Sequence, residues 1–353
     1  MPPDATQNAG MRAMTVRRAD HPSMPVALFY PSKSPAKMMR LGPYAPVLAF
    51  NGVPELPLKG AILLSHGSGG SQLAHYNLAI QLAKNGYLVA APQHPGDNWD
   101  DRSLVLSDDY FSERPRQLSR LLDALLIDSY WSAHIVGLKI GALGHSAGGF
   151  SVLALAGGMA DRQQMLHHCA TTIDDQLFCQ LGGDPHGLAK VTGFEANEAE
   201  RVAGSASAGA SVINTTLTDA DADAIDFDVR DPRIHAVFAM APIGLAFAPA
   251  SLKRLDVPLH IVTAQKDTVL TPKYHGNWLR ARLPQAVFEE VANAGHFAFM
   301  APPLIQLNSD AGDPGEDPPG FDRANYLLRL EQQVVRFFDS VLLKIEKARV
   351  SDR

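Results

Sequence analysis

A chain of 353 residues with 46% apolar and 19% charged side chains has an ordinary globular composition and enough length for a large core. The formal charge of −6 comes from 31 basic and 37 acidic residues mixed along the chain. With no basic stripe to neutralise phosphates, a nucleic-acid partner is not expected. No apolar run reaches the ~18–20 residues that cross a bilayer, so stable membrane insertion is not expected either. The first 25 residues lack the apolar segment of a secretory leader. As written the chain reads as cytoplasmic, or as exported if a leader has been removed.

Short β-branched or apolar runs alternate with helical patterns, which is the rhythm of a doubly wound α/β sheet. Met14–Arg17 and Pro25–Tyr30 are predicted strands joined by a polar turn and antiparallel to each other. Ala61–Ser65 and Leu88–Ala91 are continuous apolar runs, as strands buried on both faces should be. Ile140–Leu143, His235–Met240, Leu259–Thr263 and Ala286–Val291 continue the series. Helices are predicted at Ala74–Asn85, Arg114–Ile127, Gly149–Ala156, Tyr274–Arg282 and Ala324–Leu343. Between Met159 and Asp231 the alternation breaks. Helical fragments (Arg162–His168, Glu195–Val202) are followed by the small-residue run Ala203–Ser211 and the acidic run Asp219–Asp228. The predicted organisation is a core of residues 1–158 and 232–353 with a lid or cap insertion at 159–231. Asn308–Asp322, rich in Asp, Gly and Pro, is a predicted surface loop.

The strongest chemical signal is Gly144-His145-Ser146-Ala147-Gly148, directly after a buried strand and before a small-residue helix. A serine on so sharp a strand-to-helix turn sits in a strained backbone, and side chains two residues to either side would collide. The turn lifts the Ser146 hydroxyl clear of the sheet and aims the Ala147 N–H toward a developing oxyanion. The competing reading is a tight turn with a structural serine. His145 neighbours the nucleophile but should point away from it, and is expected to pack.

This elbow resembles that of the α/β-hydrolases, and the resemblance implies the chain order nucleophile, acid, base. It also implies that the loop after the third strand, here His66-Gly67-Ser68-Gly69-Gly70, supplies a second oxyanion N–H, assigned to Ser68 through its backbone. A dinucleotide loop would need glycine at position 72, where the chain has Gln72. A serine hydroxyl needs a base, and the base an orienting carboxylate. His296, in Asn293-Ala294-Gly295-His296 after the last strand, is the expected base, although most of the 13 histidines must be structural. Asp267, at the end of Leu259–Asp267, is the expected acid, because the previous strand leads into Ala241-Pro242-Ile243-Gly244 with no carboxylate. Phe297, Phe299 and Met300 could line an acyl pocket or simply pack.

Several further segments match in order: Pro25–Pro31, Ser65–Gly70, Gly86–Pro95, Gly144–Gly149 and Asp231–Pro242. On these residues the chain resembles a bacterial dienelactone-hydrolase-like serine hydrolase, similar to platelet-activating-factor acetylhydrolases. The resemblance implies a mostly parallel sheet of about eight strands flanked by helices, and carboxylic-ester hydrolysis. Two departures stand out. Dienelactone hydrolases carry cysteine where this chain has Ser146, and the acetylhydrolases place their acid after the strand that here ends at Pro242 and Gly244.

No metal and no organic cofactor are expected. Asp219, Asp221 and Asp223 start like a calcium loop, but Ala224 and Arg230 stand where glycine and glutamate are needed. Cys169 and Cys179 lack the other ligands of a zinc site. They are read either as two buried thiols or as a local disulfide, and the resemblance implies a lid disulfide. A bridge would weaken the cytoplasmic reading. The expected partner is a small-molecule ester, with the oligomeric state unread. The same acyl-enzyme would serve an acyltransferase, and a non-catalytic binding protein on this scaffold is the reading from another class.

Overall fold

The computed structural model describes residues 8–105, 107–180, 226–309 and 311–343. Two long strands, β1 (Asn8–Arg18) and β2 (His21–Ser32), form an antiparallel hairpin. Short strands β3 (Lys37–Met38) and β4 (Val47–Phe50) follow. Six strands then run mutually parallel: β5 (Gly60–Ser65), β6 (Tyr87–Pro92), β7 (Ile140–His145), β8 (Ile234–Met240), β9 (Leu259–Ala264) and β10 (Val287–Val291). All ten make one sheet in the order β10-β9-β8-β7-β5-β6-β2-β1-β4-β3. The expected eight are all present, and β3 and β4 extend the β1 edge. Two exposed residues carry no periodicity, which is why β3 was not legible.

The eight helices are α1 (Tyr76–Lys84), α2 (Tyr110–Ile127), α3 (Ser132–Ile135), α4 (Ala147–Leu155), α5 (Arg162–Thr171), α6 (Gln176–Gln180), α7 (Gly276–Arg280) and α8 (Arg323–Leu342), counting described residues only. Strand side chains alternate between faces, so Ala61 and Leu63 of β5 belong to one apolar layer and Ile62 and Leu64 to the other. On the first face Leu118, Leu121 and Leu122 of α2 pack with Val152 and Leu153 of α4. On the second, Leu78 and Leu82 of α1 pack with Leu330, Val334 and Phe338 of α8. Burial on both faces explains the continuous apolar runs of β5 and β6. Helix α2 begins one turn earlier than its sequence pattern, because Tyr110 and Phe111 are also buried there. The loop between Asn308 and Asp322 contains neither helix nor strand among its described residues, as expected.

The segment read as an insertion, residues 159–231, is described only at its two ends. Helices α5 and α6 are tied by a disulfide between Cys169 and Cys179, whose Cα atoms are 5.5 Å apart. Between them Asp175, 2% exposed, accepts hydrogen bonds from His168 Nε2 (2.9 Å), His275 Nε2 (3.0 Å) and the Thr271 N–H (3.1 Å). Burial pushes the Asp175 carboxyl up, but its hydrogen bonds, that from His275 foremost and those from Thr271 and His168, outweigh it and hold it below its ordinary value. The start of that segment is thereby fastened to the loop that leaves β9. Glu195–Val202, Ala203–Ser211 and the acidic residues up to Ala224, among them Asp219, lie outside the described residues.

Candidate active site

Ser146 stands between β7 and α4 with φ 56° and ψ −120°, a left-handed conformation that a residue with a Cβ adopts only under constraint. The glycines around it supply the constraint. A Cβ on Gly144 would lie 2.1 Å from the Gly148 carbonyl oxygen, and one on Gly148 would lie 2.2 Å from that of Ser65. The strand, the turn and the neighbouring β5 therefore interlock at distances only glycine permits. The Ser146 N–H is held by the Met240 carbonyl at 2.9 Å. Ala147 is the first residue of α4, where N–H groups have no partner within the helix.

Asp267 and His296 come together across 29 residues of chain. The His296 Nδ1–H donates to Asp267 Oδ2 at 2.8 Å. The other carboxylate oxygen accepts the Val269 and Leu270 N–H groups at 2.9 and 2.8 Å. Both oxygens are thus fixed, the His296 tautomer is set, and Nε2 is left as the ring's acceptor. His296 opens a 3₁₀ turn, His296–Phe299, which no sequence signal announced. His145 does more than pack. Its Nε2–H donates to the His296 carbonyl at 2.9 Å, tying the residue before Ser146 to the backbone of His296. Phe299 is fully buried against His145 and Tyr326, so it packs, whereas half-buried Phe297 flanks the His296 ring.

The glycine-rich loop lies against the serine, since a Cβ on Gly67 would sit 3.2 Å from that of Ser146. The Gly67 carbonyl accepts His66 Nδ1–H at 2.6 Å and the Gly70 N–H at 3.1 Å. A trans peptide sets its N–H opposite its C=O, so these two bonds also fix the direction of the Ser68 N–H. Behind the loop is a buried polar cluster that sequence reasoning missed. Asp97, with no exposed surface, accepts from Ser68 Oγ (2.7 Å), the Gly69 N–H (2.8 Å), Tyr110 Oη (2.9 Å) and Arg114 Nη1 (2.5 Å). Burial pushes its carboxyl up, but Arg114 and the bonds from Ser68 and Gly69 hold it below the ordinary value. Arg114 Nη2 donates to the His66 carbonyl. In sequence Asp97 lies in His94-Pro95-Gly96-Asp97-Asn98, which reads only as a turn.

Four histidines around this centre are buried and held neutral. Burial, helped by Arg114, pushes His66 down to about 3, and burial pushes His75 down to about 4. His94 and His145 are driven well below the ordinary value, again chiefly by burial. In the unfolded chain each would titrate near 6.5 and bind a proton that the folded state refuses. Their contribution is therefore complete above about pH 7 and is lost as pH falls from 6.5 toward the folded values. At pH 5.5 the four together should remove on the order of 5 kcal/mol, a large share of ordinary domain stability. We expect the melting temperature to fall by roughly 5–10 °C between pH 7.5 and 5.5. A melting temperature flat across that range would contradict neutral burial of these rings.

A mostly parallel sheet, a glycine-locked serine after one of its inner strands and an Asp–His pair at the ends of neighbouring strands together define an α/β hydrolase scaffold. The alpha/beta hydrolase family matches residues 62–305, and the chain belongs to that family. No curated protein matches it. Among solved structures it is similar to a ferulic acid esterase from Streptomyces cinnamoneus, with a TM-score of 0.58 and 18% identity over 98% of this chain and 92% of that one. Identity at that level speaks for the shared fold alone. Neither comparison singles out the dienelactone-hydrolase-like branch. Among the described residues no helix is long and apolar enough to cross a membrane.

Proposed function

We propose that this hydrolase is a serine carboxylic-ester hydrolase acting on a small or medium apolar ester through an acyl-enzyme. The observation that carries the reading is the Asp267–His296 bond of 2.8 Å, with the carboxylate saturated on its far side. In this reading His296 Nε2 takes the Ser146 proton, and Ser146 Oγ attacks the ester carbonyl. The Ser68 and Ala147 N–H groups hold the tetrahedral oxyanion, and Asp267 balances the imidazolium. The imidazolium then protonates the leaving alcohol, and water, activated by the same base, releases the acid. Exposed Trp99 sits beside the glycine-rich loop, its backbone N–H donating to the Gly70 carbonyl at 3.1 Å, and its apolar surface there supports an apolar substrate. In this reading the segment 159–231 acts as a lid or cap. The Cys169–Cys179 bridge favours an oxidising compartment over the cytoplasm.

The test is a screen of p-nitrophenyl esters from about two to sixteen carbons, with a hydroxycinnamate methyl ester added because a ferulic acid esterase shares the fold. Alongside it, Ser146 is labelled with a fluorophosphonate. Turnover that peaks at a short or medium chain and disappears on labelling is expected. An enzyme that neither labels nor turns over any ester would sink the reading. Adding alcohols to the assay separates hydrolysis from acyl transfer by the product formed.

A further inference from the structure

We propose that the buried Asp97–Arg114 pair is the positioning element of the oxyanion loop, holding the Ser68 N–H where the substrate's oxyanion develops. The inference rests on the esterase reading and adds two residues that touch no substrate. Three features of the loop engage the pair. Ser68 Oγ and the Gly69 N–H both end on Asp97 Oδ1, at 2.7 and 2.8 Å. The His66 carbonyl accepts from Arg114 Nη2. The anionic half thus binds the loop's donors and the cationic half its acceptor, on either side of the peptide that carries the Ser68 N–H.

The anchor itself is rigid. Arg114 is part of α2, and Tyr110 Oη, one turn earlier on the same helix, donates to Asp97 Oδ2 at 2.9 Å. Arg114 Nη1 reaches that same oxygen at 2.5 Å and also the Asp97 carbonyl at 3.3 Å. A second layer comes from His94, whose N–H donates to His66 Nε2 at 3.1 Å. Its Nε2 accepts from Ser65 Oγ at 2.8 Å, and its Nδ1–H donates to Gln117 Oε1, also on α2, at 2.7 Å. Side chains with relative exposures of 2% and 0% make this a costly pair for stability alone, since well-packed apolar side chains commonly do as well. What apolar side chains cannot do is satisfy a buried hydroxyl, N–H and carbonyl at set directions. Oxyanion stabilisation depends on such directions being fixed before the reaction.

A positioning role separates from a structural one by its effect on the tetrahedral state. Asp97→Asn keeps the shape but unbalances Arg114, and Ser68→Ala cuts one tether while leaving the pair intact. For folded Asp97→Asn we expect kcat on a p-nitrophenyl ester to fall by about 10–100-fold with KM within about threefold. For Ser68→Ala a fall of about 5–10-fold is expected. Affinity for a trifluoromethyl ketone, which becomes an oxyanion-bearing hemiketal on Ser146, should weaken by the same factors, and affinity for the matching methyl carbinol should not change. Wild-type kcat and ketone affinity in folded Asp97→Asn would overturn the proposal. So would parallel loss of ketone and carbinol. Should Asp97→Asn not fold, Ser68→Ala decides alone, and wild-type ketone affinity there overturns the proposal. Wild-type enzyme that neither turns over ester nor binds the ketone refutes the esterase reading itself and takes this inference with it.

Discussion

Replacing Ser146 with alanine is expected to lower ester turnover by roughly 10⁵–10⁶, the scale on which removal of a nucleophile collapses an acyl-enzyme mechanism. The residual rate reflects binding and the oxyanion donors alone. Folding should survive. Alanine keeps the Cβ already accommodated at φ 56°, and the Ser146 N–H still bonds the Met240 carbonyl. The measurement is kcat on the best p-nitrophenyl ester, together with the loss of fluorophosphonate labelling and a melting curve within a few degrees of wild type. A folded variant keeping more than about a tenth of the activity would assign the chemistry to another residue.

The second large effect is expected at Asp267. Its Oδ1 accepts two backbone N–H groups, from Val269 and Leu270. In Asp267→Asn the amide oxygen stays with those donors, so the amide NH₂ faces His296 Nδ1. A donor there demands the opposite tautomer, with the proton on Nε2, and the ring can no longer take the Ser146 proton. Turnover should drop by about 10³–10⁴ with little change in KM. Asp228, within the segment read as a lid and paired with Arg254 at 2.7 Å, serves as the control. Its asparagine variant should change turnover by less than about tenfold. Wild-type behaviour of Asp267→Asn beside a dead Asp228→Asn would move the acid into the insertion and refute the assignment.

Much of this architecture was legible in the chain because the signals are local. Strands buried on both faces must be continuously apolar, so β5, β6 and β7 were readable within a residue or two. The elbow was readable because steric exclusion around one serine demands glycine two residues to either side. Position at strand ends singled out Asp267 and His296 before their hydrogen bond was seen. The segment 159–231 stood out only as a break in alternation, and the pairing of Cys169 with Cys179 was one of two readings left open.

Tertiary structure alone decided which polar residues are buried together. Nothing within a few positions of Asp97 marks it, because its partners Ser68, Gly69 and Arg114 come from a preceding loop and a following helix. The same holds for Asp175, whose partner His275 is 100 residues away, and for His145, whose hydrogen bond to the His296 carbonyl spans 151. A hydrophobic period writes burial into sequence, since each apolar residue declares its face. A buried charge or imidazole declares nothing until the fold supplies the opposite partner that makes its burial affordable.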